Sequence, residues 1–207
     1  NRWRIDMEGV PKAELPDSVL ALLTARIGKL PDGTRNVLSI AACIGSVFDA
    51  DGIARIGGQT FAEVSATSNR LRDQGLLLAA DNGFRFIHDR VKEAVYGLNT
   101  EEERAAIHYR IGKMRMAAKK EADTADDLFA VAFQLNAARS LLNKTERDAL
   151  VELNLKAGRK AKQITAYTAA MDYFNSGLAL LAEDSWRKQY ALTLALHTEA
   201  AETAFLC

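Results

Sequence analysis

Apolar residues recur at steps of three and four along most of this chain, so helices dominate the expected fold. Pro16-Asp17-Ser18 opens a first helix with Val19, Leu20, Leu22, Leu23 and Ile27 apolar, ending near Gly28. A second follows Pro31-Asp32, buries Val37, Leu38, Ile40, Ala41 and Ile44, and stops at Gly45. Val47-Phe48 is a short β-prone step, and residues 50–56 form a short helix before Gly57-Gly58. Thr60 and Glu63 make a capping box for a helix that runs through Val64 and Leu71 to Gln74. Leu76 to Ala80, the turn Asp81-Asn82-Gly83, and Phe84 to Ile87 then read as a β-hairpin, because Asn-Gly is the favoured tight-turn pair. Helix, helix, helix, hairpin is the order of a winged helix, expected over residues 31–99.

From Arg90 onward the pattern is helical throughout. Thr100 and Glu103 form a second capping box, ahead of Ile107, Ile111 and Met114 on one face. Thr124 with Asp127 begins a helix whose stripe is Leu128, Val131, Leu135, Ala138 and Leu142. Thr145 with Asp148 begins another, with Leu150, Leu153, Ala157, Ala161 and Ile164 apolar. A helix over 165–181 pairs with it, and one further helix spans 184–205. Gly158, Ala170, Phe174 and Gly177 have the small, small, aromatic, small spacing of a tetratricopeptide repeat. The expected fold is therefore mainly all-α: a winged helix with one small β-hairpin, then antiparallel tetratricopeptide-like helix pairs over 100–207.

Charge narrows the function. Lys plus Arg equals Asp plus Glu at 27 each in the 207 residues, which removes any bulk attraction to nucleic acid or an anionic membrane. Over residues 31–99 seven basic side chains face eight acidic ones, a net of −1, against the basic footprint that DNA binding needs. The would-be recognition helix offers Arg70 and Arg72 only near its end, opposed by Asp73. A DNA-binding transcriptional regulator is thus the disfavoured alternative, and a freestanding helical scaffold the other. No apolar stretch approaches the roughly 20 residues of a membrane span. Of two cysteines, Cys43 sits in an apolar run and Cys207 is the last residue, so no disulfide framework is expected and a reducing cytoplasm is the expected compartment. The abrupt ends at Asn1 and Cys207 read as those of a cut fragment.

Candidate chemistry is sparse. Gly28-Lys29 and Gly112-Lys113 lack the glycine-rich loop of a phosphate cradle. No nucleophile–base pair or metal cluster can be assembled from motif spacing, so neither catalytic residues nor a metal site is expected. Lys156, Arg159, Lys160 and Lys162 read as the solvated face of a repeat helix. His108 and His197 fall on or beside apolar stripes and read as packing or surface residues. His88 stands out because it lies in Phe86-Ile87-His88-Asp89, where the second hairpin strand gives way to a helix. Its imidazole can there point away from the domain and donate to a phosphate. The plain alternative is that Asp89 caps the helix and His88 satisfies a nearby carbonyl. A phosphoacceptor histidine is set aside, because that chemistry needs the side chain midway along a long helical hairpin.

Residues 15–49, "FRFIHDRVKEAVY" (Phe84–Tyr96), residues 153–181 and residues 186–202 together resemble one bacterial family. Its members are large sensor proteins that join a Ser/Thr-kinase-like domain, a STAND-type signalling ATPase of the AAA class, a GAF domain and a histidine kinase. The resemblance covers nearly the whole chain, including Trp3. It implies that residues 1–30 end a helical lid or linker, and that the winged helix and the start of the repeats follow the ATPase core. It also implies that His88 and Asp89 contact the β-phosphate of ADP in the intact parent and hold its off state. On this reading the segment itself carries no cofactor, and the parent binds ADP or ATP. Its partners are the adjacent ATPase and kinase domains and a protein ligand on the repeat face, with no nucleic acid and no membrane.

Overall fold

The computed structural model describes residues 19–118 and 125–206. The helix start at Pro16–Ser18, the Thr124 cap, Trp3 and Cys207 lie outside them. Helices α1 (Val19–Gly28) and α2 (Asp32–Ile44) are followed by β1 (Val47–Phe48), α3 (Ala50–Gly57) and α4 (Phe61–Asp73). Strands β2 (Leu77–Ala80) and β3 (Gly83–Phe86) lead into α5 (Asp89–Leu98). The expected box at Thr60 and Glu63 closes at the start of α4, and the Asp49 side chain, a cap not expected from the sequence, accepts the Gly52 amide at 2.6 Å to start α3.

The hairpin gains a third strand. Val47 pairs with Arg85 and Phe48 with Phe84, giving an antiparallel sheet of order β1-β3-β2. The β-prone step at Val47-Phe48 becomes a strand, and the packing of the Phe48 ring on Phe86, centroids 5.4 Å apart, holds it there. Gly83, at φ 146°, lies so close to the Phe48 carbonyl that any side chain would collide with it. The core beneath joins Leu38 and Ile40 of α2, Ile53 of α3, Leu71 of α4, Leu77, Phe86 and Val91, and it takes in Ile107 and Ile111 from the next helix.

That helix, α6 (Glu101–Ala118), precedes α7 (Ala125–Ala137), α8 (Lys144–Gln163), α9 (Tyr167–Leu180), a short α10 (Ser185–Lys188) and α11 (Tyr190–Leu206). The structure is mainly all-α with one small antiparallel sheet. Helix α7 ends earlier than its stripe suggests: a 3-10 turn spans Arg139–Leu141 and Leu142 is extended, yet Leu142 still packs with Val131, Leu135 and Leu150. Asn143 and Glu146, not Thr145 and Asp148, cap α8, because the side-chain Oδ1 of Asn143 accepts the Glu146 backbone amide at 3.0 Å while the Glu146 carboxylate accepts the Asn143 backbone amide. The last expected helix is broken at Gln189, between α10 and α11.

Helices α8 and α9 run antiparallel in close contact. Gly158 meets the ring of Phe174, and Gly177 meets Asn154 one turn earlier on α8 and Leu196 of α11. The basic face of α8 is largely solvated but is not free of partners. Lys156 and Lys160 are exposed, but Arg159 reaches Glu199 at 2.7 Å, and Lys162 reaches Glu199 at 3.0 Å and Glu202 at 2.6 Å, all on α11. Helix α6 is tied to the start of α8 by the Tyr109 hydroxyl, which donates to Glu146 at 2.7 Å.

Candidate functional site

His88 occupies the single extended step between β3 and α5, with φ −155° and ψ 148°. Phe86 is buried and anchors the step, while Ile87, His88 and Asp89 are exposed. The imidazole Nδ1 accepts the Arg90 amide at 3.0 Å, so His88 is itself the cap of α5. This reverses the plain sequence alternative, in which Asp89 capped the helix. Asp89 is instead the first helical residue, where a carboxylate complements the positive end of the helix dipole. Because Nδ1 accepts, a neutral His88 carries its proton on Nε2 and keeps one N–H donor free of the cap.

His88, Asp89, Lys92 and Tyr96 line one wall of an open cleft of about 810 Å³. Residues 42–45 at the end of α2 form another wall, and His108 and Phe133 bring α6 and α7 to it. Arg90 is tied to Glu93 at 2.8 Å, whereas Lys92 enters no ion pair among the described residues. Phe133 is 59% exposed and stands edge-on to His108, with ring centroids 6.0 Å apart. The cleft thus sets an N–H donor and the Lys92 ammonium group beside the Asp89 carboxylate and the Arg90–Glu93 pair, a lining of balanced charge in which the donors can meet an anionic group.

Behind the cleft lies a closed polar chain. The Gln134 amide donates to the Cys43 carbonyl at 2.9 Å, Gln134 Oε1 is 2.6 Å from His108 Nδ1, and His108 Nε2 is 3.1 Å from the Tyr96 hydroxyl. Burial lowers the His108 pKa, the Gln134 bond opposes that shift, and the Arg104 charge adds to it. Burial pushes the Cys43 thiol up to about 12, against the pull of Arg104 and Lys92, so it stays protonated and unreactive.

Of the three histidines, the structure brings His108 to the same cleft as His88 and leaves His197 apart, stacked on Trp186 at 5.2 Å. His108 is indeed a packing residue, yet it also lines the site. The sequence signal for that was a single polar ring set in an apolar stripe beside Ile107 and Ile111. On α4, Arg70 donates to Thr67 and Arg72 pairs with Asp73 at 3.0 Å, so both of its cations are engaged locally. No described helix is long and apolar enough to cross a membrane.

No family model matches the chain, and no solved structure matches it. Hybrid signal transduction histidine kinase G of Dictyostelium discoideum is 21% identical over 271 residues, a stretch that covers 100% of this chain and 8% of that protein. The chain thus spans a small part of the length of the curated relative it matches. Over that stretch the chain is similar to a signal-transduction kinase.

Proposed function

We propose that this chain is the non-catalytic regulatory arm of a STAND-type ATPase within a multidomain sensor kinase. Residues 31–99 act as its winged helix, residues 100–207 begin its tetratricopeptide-like repeats, and residues 1–30 end the lid of the ATPase core. The observation that carries the reading is His88. It is fixed at a strand-to-helix step by its own Nδ1 and holds its Nε2–H in reserve beside an open cleft. ADP bound in the adjacent core would present its β-phosphate to that donor, and the contact would favour a closed packing. Exchange for ATP would release it. The repeat helices would pass the change to the kinase domains of the same chain or to a protein ligand on their inner face. A buried, protonated Cys43 and engaged cations on α4 support a role without catalysis or DNA contact. The setting is cytoplasmic, without membrane or nucleic acid.

The test is His88→Ala in the intact parent, with bound nucleotide quantified after purification and kinase output measured alongside. Loss of one hydrogen bond to a charged group corresponds to roughly 10- to 100-fold weaker ADP retention, with raised basal output. A parent that keeps its ADP and signals as before would end the sensing role.

A further inference from the structure

Four helices meet at the polar chain beside the cleft, three of them consecutive and the fourth, α2, far from them in sequence. Tyr96 lies near the end of α5, His108 in α6, Gln134 in α7, and Cys43 in the last turn of α2. Only one assignment of donors and acceptors fits. The Gln134 amide nitrogen donates to the Cys43 carbonyl, which turns its oxygen toward His108 Nδ1. An amide oxygen only accepts, so Nδ1 bears the imidazole proton. That leaves Nε2 with a lone pair, and the Tyr96 hydroxyl donates to it. Gln134 on one helix therefore decides what Tyr96 on another can do.

The middle of the chain is sealed: His108 is 1% and Gln134 is 2% exposed, while Tyr96 at its end is half-buried on the cleft wall. In such surroundings a broken link leaves its neighbours unsatisfied, and the bonds support one another. Helix α5 is seated on its apolar side by Val91, Ala94 and Val95. Its attachment to α6 and α7 on the cleft side runs through Tyr96.

We propose that Gln134 and His108 are positioning residues for α5: through Tyr96 they hold the helix whose first turn carries His88 and Asp89. The inference rests on the role given above to His88. Helix α5 is short enough to move as one rod, with Tyr96 two turns along from His88. A ligand that draws His88 aside loads the Tyr96–His108 bond and, through it, α7. By reciprocity, a partner that shifts α7 alters what His88 can hold.

The experiment needs no nucleotide, so its failure would leave the His88 reading to be judged by the parent protein. Ring-nitrogen magnetic resonance of the unaltered 207-residue chain is expected to show His108 protonated at Nδ1 and bare at Nε2. Gln134→Leu should move that proton to Nε2 and raise amide exchange across α5 by about tenfold, leaving α8 and α9 as they were. Tyr96→Phe, which removes one hydroxyl, should loosen α5 in the same way with less risk to folding. A proton found on Nε2 in the unaltered chain would overturn the proposal. So would exchange in α5 that stays unchanged in Tyr96→Phe, or that rises there only by the same factor as in α8 and α9.

Discussion

Gly158 of α8 lies directly against the ring of Phe174 of α9, and Phe174 is fully buried. A methyl group at residue 158 would sit inside the ring's contact distance with no space to yield. Gly158→Ala is therefore expected to lower stability by about 1–3 kcal/mol in urea titrations, as overpacking does. Gly97 in α5 is the contrast: open space surrounds its position. Gly97→Ala should raise stability by about 0.5–1 kcal/mol, because it removes only backbone freedom.

Thr165 turns the chain between α8 and α9 at φ 61°, a conformation that suits neither a Cβ nor a branched side chain. Asparagine tolerates this region better. Thr165→Asn is expected to stabilise the chain by about 1 kcal/mol in thermal or urea unfolding. Unchanged stability would show that the turn relaxes without cost.

The pKa of His108 is lowered in the folded state, first by burial, from an ordinary value of 6.5. The folded protein then binds fewer protons than the unfolded chain, so stability is full above pH 6.5 and declines as pH falls from there toward the lowered value. The slope is bounded at about 1.4 kcal/mol per pH unit for one group. His108→Gln should flatten the acidic limb of a stability-versus-pH curve. The Arg104 charge reinforces the trend, and the Gln134 hydrogen bond opposes it.

Glu199 receives both Arg159 and Lys162, and its side chain is 17% exposed. It joins α11 to α8 across a gap that sequence cannot foresee. Glu199→Gln should cost about 1 kcal/mol at low salt, because the site is part of a network rather than an isolated surface pair. The difference should shrink as salt is added, and a salt-independent loss would point to packing instead.

Many local signals were legible, though the caps of α5 and α8, the end of α7 and the break at Gln189 were not. The boxes at Thr60–Glu63 and Thr100–Glu103, the hairpin turn at Asp81–Gly83 and the helical stripes act within four residues of one another. They depend on backbone geometry that every helix or turn shares. At the start of α8 the sequence pattern points to Thr145 as the cap, whereas the side chain that reaches an amide three residues on is that of Asn143. His88 stood out because of its place at the end of a strand, and its free Nε2–H followed only once Nδ1 was seen to cap α5.

By itself, then, the amino-acid order determined most of the helices, the capping boxes at Thr60 and Thr100 and the small-against-aromatic match that packs α8 on α9. Tertiary structure alone decided that Val47-Phe48 joins a sheet, that His108 shares a cleft with His88, and that Gln134 bonds a carbonyl 91 residues away. The reason is physical. Periodicity encodes which face of an element is buried, but not which other element buries it. A polar side chain on a buried face has many partners of the right chemistry, and only the folded chain brings one of them within reach.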